Sequence, residues 1–391
     1  MKLLLASCIS IYQQTTAEQL HRHDYLHEVW NSDKLKIPYL QPLYRRCWPY
    51  HFAAKLFYHT ATIGQCDNIL PRLLPIWDAW VRRRTASIPA NTVDMVFSIM
   101  GYASGPFDLA ERIGALKIVD ASSSHPTSFY GFWQRECDVW SPGTRVTLPR
   151  SLFRRCNQDL ERADYILCSS LFVRDSMIYN GIPESKLAVL PYGANISTFT
   201  PPEKPTAKPV FIAVGTLTLR KGTPYLLEAM RLVRKSHPDA ELYLVGSIHD
   251  DCKRILHRWR GEFTHVSNVS HAELAKLLQQ SLAFVFPSCE EGFARVLSEA
   301  MAAGLPIVAT HESGASTVVK DGEHGFIVPP RQPQALADRL VQLIEDPLLA
   351  WRMGSLASSF AKSQGSHEAY GYKLKQILEA WLRDSIQKKA A

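Results

Sequence analysis

The chain has 391 residues, 46% apolar and 21% charged, which fits two globular domains and fits neither a disordered nor a membrane-spanning chain. Its formal charge of +7 is spread evenly: residues 1–200 hold 21 Lys and Arg against 17 Asp and Glu, and the remainder 23 against 20. Neither half is a basic arm, so nucleic acid is not the default partner.

In chain order, the opening "MKLLLASC" mimics a lipoprotein cleavage site, but Leu3 to Ala6 is far shorter than the roughly 7 to 15 apolar residues of an export signal, so a buried first strand is expected. The aromatic-basic stretch from Tyr39 to His59 reads as a loop-and-helix region of the core, and Arg82, Arg83 and Arg84 as a solvated face. Peripheral contact with the inner face of a membrane is the alternative for both. Further strands are predicted in Val93–Met100, Ala115–Ser122, Ala163–Ser170 and Lys186–Gly193. The proline-rich segment 197–209 marks a boundary and hinge. Beyond it, "PVFIAVG", "ELYLVG", "LAFVFPS", "LPIVAT" and "GFIVPP" read as buried strands. Helices fall between them: one capped by Thr223, one opened by a Ser270–Glu273 capping box, one over Phe293–Gly304, and a last one stopped near Pro347. Strand–helix alternation predicts α/β architecture, two doubly wound domains with ligand at the carboxyl ends of the strands. The domains are expected at 1–200 and 201–365, with 366–391 a helix packing back toward the first.

Two strand ends carry the chemistry. Glu290 to Gly292 form a strand-to-helix turn whose free amides suit a diphosphate, with Gly292 leaving room for its approach. Glu291 and Glu299 bracket those amides and could accept hydrogen bonds from sugar hydroxyls; equally, Glu291 could simply favour the helix dipole and Glu299 lie on the surface. Arg220 and Lys221 precede Gly222 after another strand, as an anion clamp or as two solvated cations. No GxGxxG follows a predicted strand and no GxxxxGK[ST] is present, which argues against a dehydrogenase and a P-loop ATPase. The eight cysteines show no close pair at metal spacing and read as reduced thiols of a cytoplasmic protein. His249, Asp250 and Asp251 read as a solvated loop, so no metal is expected.

The segment "PSCEEGFARVLSEAMAAGLPIVAT", with two glutamates separated by seven residues, resembles the donor signature of retaining glycosyltransferases of family 4, which have the GT-B fold. "VGTLTLRKGTPYLLEAM", "KDGEHGFIVPP" and "SHEAYGYKLKQIL" agree in order, and the resemblance covers about residues 115 to 380. It implies transfer of a sugar from a nucleotide-diphosphate sugar to a glycan, lipid or small-molecule acceptor, with retained anomeric configuration and no cofactor. By resemblance, Glu299 would hold the ribose, and Glu291 with the backbone of Gly292, Phe293 and Ala294 would face the sugar. Amides near Arg295 and Val296 would meet the distal phosphate, beside Gly215 and Thr216. Arg220 and Lys221 would neutralise the leaving diphosphate, and His125 would line the sugar side. Tyr12, Gln13 and Glu136 are placed toward the acceptor, structural ion pairing being the other reading of Glu136. The chain departs from the family's pattern in having Thr216 where arginine is frequent, Ala294 where a second glycine stands, and no glycine-rich turn after the first strand. These departures motivate a second reading, a non-catalytic nucleotide-sugar-binding or scaffolding subunit.

Overall fold

The computed structural model describes residues 1–6, 13–32, 36–58, 70–86, 88–146, 149–204, 206, 208–267 and 269–390. The first domain runs β1 (Leu3–Ala6), α1 (Gln13–Arg22), β2 (Leu26–Asn31), β3 (Tyr44–Arg46), α2 (Trp48–Tyr58), α3 (Leu74–Thr85), β4 (Met95–Ile99), α4 (Ser104–Ile113), β5 (Leu116–Ala121), α5 (Pro126–Trp140), α6 (Arg150–Arg162), β6 (Tyr165–Cys168), α7 (Leu171–Tyr179) and β7 (Leu187–Val189). The second runs β8 (Val210–Val214), α8 (Thr223–Val233), β9 (Glu241–Val245), α9 (Lys253–Arg258), β10 (Thr264–Val266), α10 (His271–Gln279), β11 (Ala283–Phe286), α11 (Arg295–Ala302), β12 (Ile307–Thr310), β13 (Gly325–Val328), α12 (Pro333–Glu345) and α13 (Pro347–Gln364), and α14 (His367–Ala390) follows.

Both sheets are parallel throughout, ordered β3-β2-β1-β4-β5-β6-β7 and β10-β9-β8-β11-β12-β13. Strand order reverses between β1 and β4 and between β8 and β11. At such a switch point adjacent connections leave on opposite faces and open a crevice at the carboxyl ends. Central strands are apolar and covered on both faces, as in "LLLA" of β1 and "AFVF" of β11, each buried at every position.

The chain crosses between domains twice, at adjacent places: the Ala194 amide donates to Gly365 O at 2.9 Å. From there α14 returns to the first domain. Tyr370 Oη and Thr16 Oγ1 share a hydrogen bond of 2.9 Å, and Trp381 stacks on Tyr165 at 4.9 Å. No helix among the described residues is long and apolar enough to cross a membrane.

Several local expectations change. The helix expected to stop near Pro347 does end there, at Glu345, and Pro347 itself opens a further helix, α13, where its missing N–H costs nothing. Gly222, not Thr223, caps α8, and the Thr223 hydroxyl donates to Thr218 O instead. The aromatic-basic stretch is core only in part: Leu40, Cys47, Tyr50 and Ala54 are buried, whereas Tyr39, Trp48 and Phe52 are exposed.

Candidate functional site

The β8–α8 and β11–α11 loops meet at the second switch point. Gly222, at φ +70°, packs so closely on Pro287 that an added Cβ would lie 2.0 Å from its carbonyl oxygen. The Cys289 amide donates to Arg220 O at 2.8 Å, which ties the two loops together. Gly215, Thr216, Lys221, Phe286 and Pro287 border a shallow recess there.

Four charges fill the junction. Arg220 Nη1 donates to both Glu290 O and Glu290 Oε2, at 2.5 and 2.6 Å, and lies 3.9 Å from Glu291. Lys221 Nζ lies 2.8 Å from Glu291 Oε2. Burial alone would depress the Arg220 guanidinium, and the carboxylates of Glu290 and Glu291 outweigh it and hold the group above its usual value. Burial would raise the Glu291 carboxyl, but Lys221 and then Arg220 hold it below the ordinary range. The quartet is charge-balanced, so each cation that turned to a ligand would leave a carboxylate behind. By resemblance Arg220 faces the diphosphate, and the sequence gives Glu290 no role of its own; its one signal is its place beside Glu291 in "CEEG".

The first domain completes the junction. Ser124 donates to Glu290 Oε1 through its amide at 3.3 Å and its hydroxyl at 2.9 Å. Gly292 owes its identity to this approach: a Cβ there would lie 1.9 Å from Ser122 O. The room expected for an anion is thus taken by the facing domain. His125 caps α5, its Nδ1 accepting from the Thr127 amide at 3.3 Å while its own amide donates to Ser176 Oγ at 2.9 Å. With Nδ1 an acceptor, the neutral ring carries its proton on Nε2. Burial lowers the His125 pKa and keeps the ring neutral.

Along α11, Ala294 is the N-cap at φ −101°, a conformation alanine adopts without strain, and the Arg295 and Val296 amides open the helix. The Phe293 ring is buried in the core, so only its backbone could meet a ligand. Glu299 is half-buried one turn further; burial raises its carboxyl, opposed by His271 and Arg295. Thr216 Oγ1 accepts from Ser247 at 3.3 Å.

Of the acceptor-side positions, the two described residues, Gln13 and Glu136, have separate partners. Tyr12 lies outside the described residues. Gln13 is buried at the start of α1, its Oε1 3.5 Å from Asn31 Nδ2. Glu136 does not face an open acceptor side. It is fully buried, takes Arg331 Nε at 2.6 Å and the Tyr225 hydroxyl at 2.8 Å, and so fastens α5 to the second domain. The loop at 249–251 is not solvated at Asp251, which accepts the Trp133 indole N–H at 3.2 Å beside the His249 ring.

Residues 197–360 match the model of glycosyl transferases group 1. The second domain belongs to that family. Over 217 residues the chain is 28% identical to D-inositol 3-phosphate glycosyltransferase of Paenarthrobacter aurescens, covering 51% of this chain and 53% of that protein. Over 294 residues it is 25% identical to a GDP-mannose-dependent monoacylated alpha-(1-6)-phosphatidylinositol monomannoside mannosyltransferase of Corynebacterium glutamicum, 69% of this chain and 72% of that one. The first of these matches thus spans about half the relative's length. Among solved structures, sucrose-phosphate synthase from Thermosynechococcus elongatus superposes with TM-score 0.74 at 18% identity, over 98% of this chain and 100% of that one. Anabaena HepE in complex with UDP-glucose superposes with TM-score 0.67 at 16% identity, over 97% and 100%. The two facing domains form the GT-B fold, and the group 1 domain supplies both charged loops.

Proposed function

We propose that the chain is a retaining, metal-independent glycosyltransferase that moves a sugar from a nucleoside diphosphate sugar to a hydroxyl-bearing glycan, lipid or small-molecule acceptor. The observation that carries this reading is the charged quartet of Arg220, Lys221, Glu290 and Glu291, at the start of α11 and against Ser122–His125 of the other domain. The diphosphate would lie on the Arg295 and Val296 amides, with the ribose hydroxyls donating to Glu299. Sugar hydroxyls donating to Glu291 would replace the lysine there and free Lys221 to turn to the diphosphate. The bond between the anomeric carbon and the diphosphate oxygen breaks, its electron pair passing to that oxygen, where Lys221 and the helix amides meet the new charge. The acceptor oxygen then bonds to the anomeric carbon on the face the diphosphate left, and its proton passes to a diphosphate oxygen. His125 Nε2–H would donate to the sugar. We place the activity in the cytoplasm, which the free, mostly buried cysteines among the described residues support.

Incubation with UDP-, GDP- and ADP-sugars, followed by nucleoside diphosphate release, tests the proposal. Release from one donor class and its loss in Lys221→Ala are expected. Absence of release from every donor, with Glu299→Ala indistinguishable from the parent in donor binding, would instead leave a non-catalytic subunit.

A further inference from the structure

Between Asp33 and Asp67 the sequence has no acidic residue and carries Lys34, Lys36, Arg45, Arg46 and Lys55, five cations in a chain whose whole formal excess is seven. Large apolar side chains stand out of the fold in the same segment. Tyr39, Trp48 and Phe52 are 52%, 51% and 62% exposed. Trp48, Phe52 and Lys55 lie four and seven positions apart on α2 and therefore share one face. The two rings stack at 5.7 Å, and the Arg46 guanidinium lies 4.0 Å over Trp48. The opposite face of α2 is buried through Tyr50 and Ala54. Lys36 and Lys55 are exposed, whereas Arg45 is neutralised by Glu28 at 2.7 Å.

Single exposed apolar residues are ordinary, but stacked aromatics with Arg46 over one ring and Lys55 on the same helix face match the chemistry of a headgroup layer, apolar just below anionic phosphates. The position adds to this. α2 begins two residues after the carboxyl end of β3, at the same end of the first sheet as Ser122–His125 after β5. A surface docked there would lie beside the mouth of the cleft.

We propose that the outer face of α2, with Lys36 ahead of β3, docks on an anionic lipid bilayer, Trp48 and Phe52 entering the headgroup layer and Lys36, Arg46 and Lys55 meeting lipid phosphates. The inference stands apart from the transfer chemistry, since bilayer binding without nucleoside diphosphate release would retain the one and remove the other.

The test is cosedimentation of the full chain with phosphatidylcholine vesicles, with and without phosphatidylglycerol. Binding to the anionic vesicles is expected, weakening with added salt. Trp48→Ala with Phe52→Ala should lower affinity about tenfold or more, and Lys36→Gln with Lys55→Gln about fivefold per cation. Trp351→Ala with Tyr372→Ala, exposed aromatics of α13 and α14, should leave binding unchanged. Quenching of parent tryptophan fluorescence by brominated lipid, reduced in Trp48→Phe, reads the same contact without a disruptive variant. Absence of an anionic-lipid preference, an equal loss in the Trp351/Tyr372 pair, or quenching that survives Trp48→Phe undiminished would overturn the proposal.

Discussion

Glu290 reaches Arg220 Nη1 at 2.6 Å with one carboxylate oxygen and takes the amide and hydroxyl of Ser124 with the other. One fully buried side chain therefore joins the cation of the second domain to the backbone of the first. Removing one partner of a buried pair strands the other charge, which typically costs about 3–5 kcal/mol, whereas losing one neutral donor costs about 1 kcal/mol. Glu290→Ala should therefore lower the denaturation midpoint far more than Ser124→Ala. Adding Ser124→Ala to Glu290→Ala should change little, because the bond is already gone. Urea titrations of the three variants measure this, and additive losses would show that the contact does not couple the domains.

Gly292 gives a second handle on domain approach. With Ser122 O only 1.9 Å from where a Cβ would stand, Gly292→Ala cannot keep the present contact. The loop should retreat from the first domain while the group 1 domain itself stays folded. Small-angle scattering should show a larger radius of gyration, and turnover should fall about a hundredfold from misplacement alone. An unchanged scattering curve would mean that the loop yields locally.

His125 carries a prediction with a defined sign. Its folded pKa lies below the ordinary 6.5 because burial disfavours the charged ring. The ring therefore stays neutral, with its proton on Nε2, through pH 7 and down past 6.5. Its stabilising contribution is lost as pH falls further, because the unfolded chain takes up the proton more readily. Histidine NMR should place its titration below 6.5, and turnover in the proposed reaction should hold steady from pH 7.5 to 6.5 as far as this group governs it. Titration above 6.5 would contradict the burial argument.

These residues also show where sequence reading stopped. β8, β11 and β12 were legible because a strand covered on both faces is an unbroken apolar run. β3 and β10 were missed because three-residue edge strands, "YRR" and "THV", need no such run. The Ser270–Glu273 capping box is local, so its four residues were enough. The partner of Arg220 was not local. Glu290 could be chosen over Glu291 only after two loops and Ser124 had come together, and Gly292 required knowing that Ser122 arrives from the other domain. Glu136 read equally as an acceptor residue or an ion pair until Arg331 appeared beside it.

Asp120 carries a pH prediction of the opposite sign. The penultimate residue of β5, it is fully buried, accepts the Tyr192 hydroxyl at 2.7 Å, and its second oxygen has no partner among the described residues. Burial raises its pKa to about 7, against the Tyr192 hydrogen bond, which lowers it. Since the folded value lies above the unfolded one of about 3.9, the folded state binds the proton more tightly. The stability this confers is complete below pH 4 and is lost as pH rises through 7. Tyr192 stands on the first crossing between domains and Tyr370, its ring 6.3 Å away, on the helix that returns after the second. The loss should therefore appear as loosening at the crossings. Asp120→Asn keeps an oxygen for Tyr192 and removes the titration, so its melting midpoint should rise relative to the parent between pH 4 and 7 and run parallel above. Melting curves at half-unit intervals, with hydrogen exchange at the Ala194 amide, measure both parts; a constant offset across the range would mean that Asp120 stays ionised in the fold.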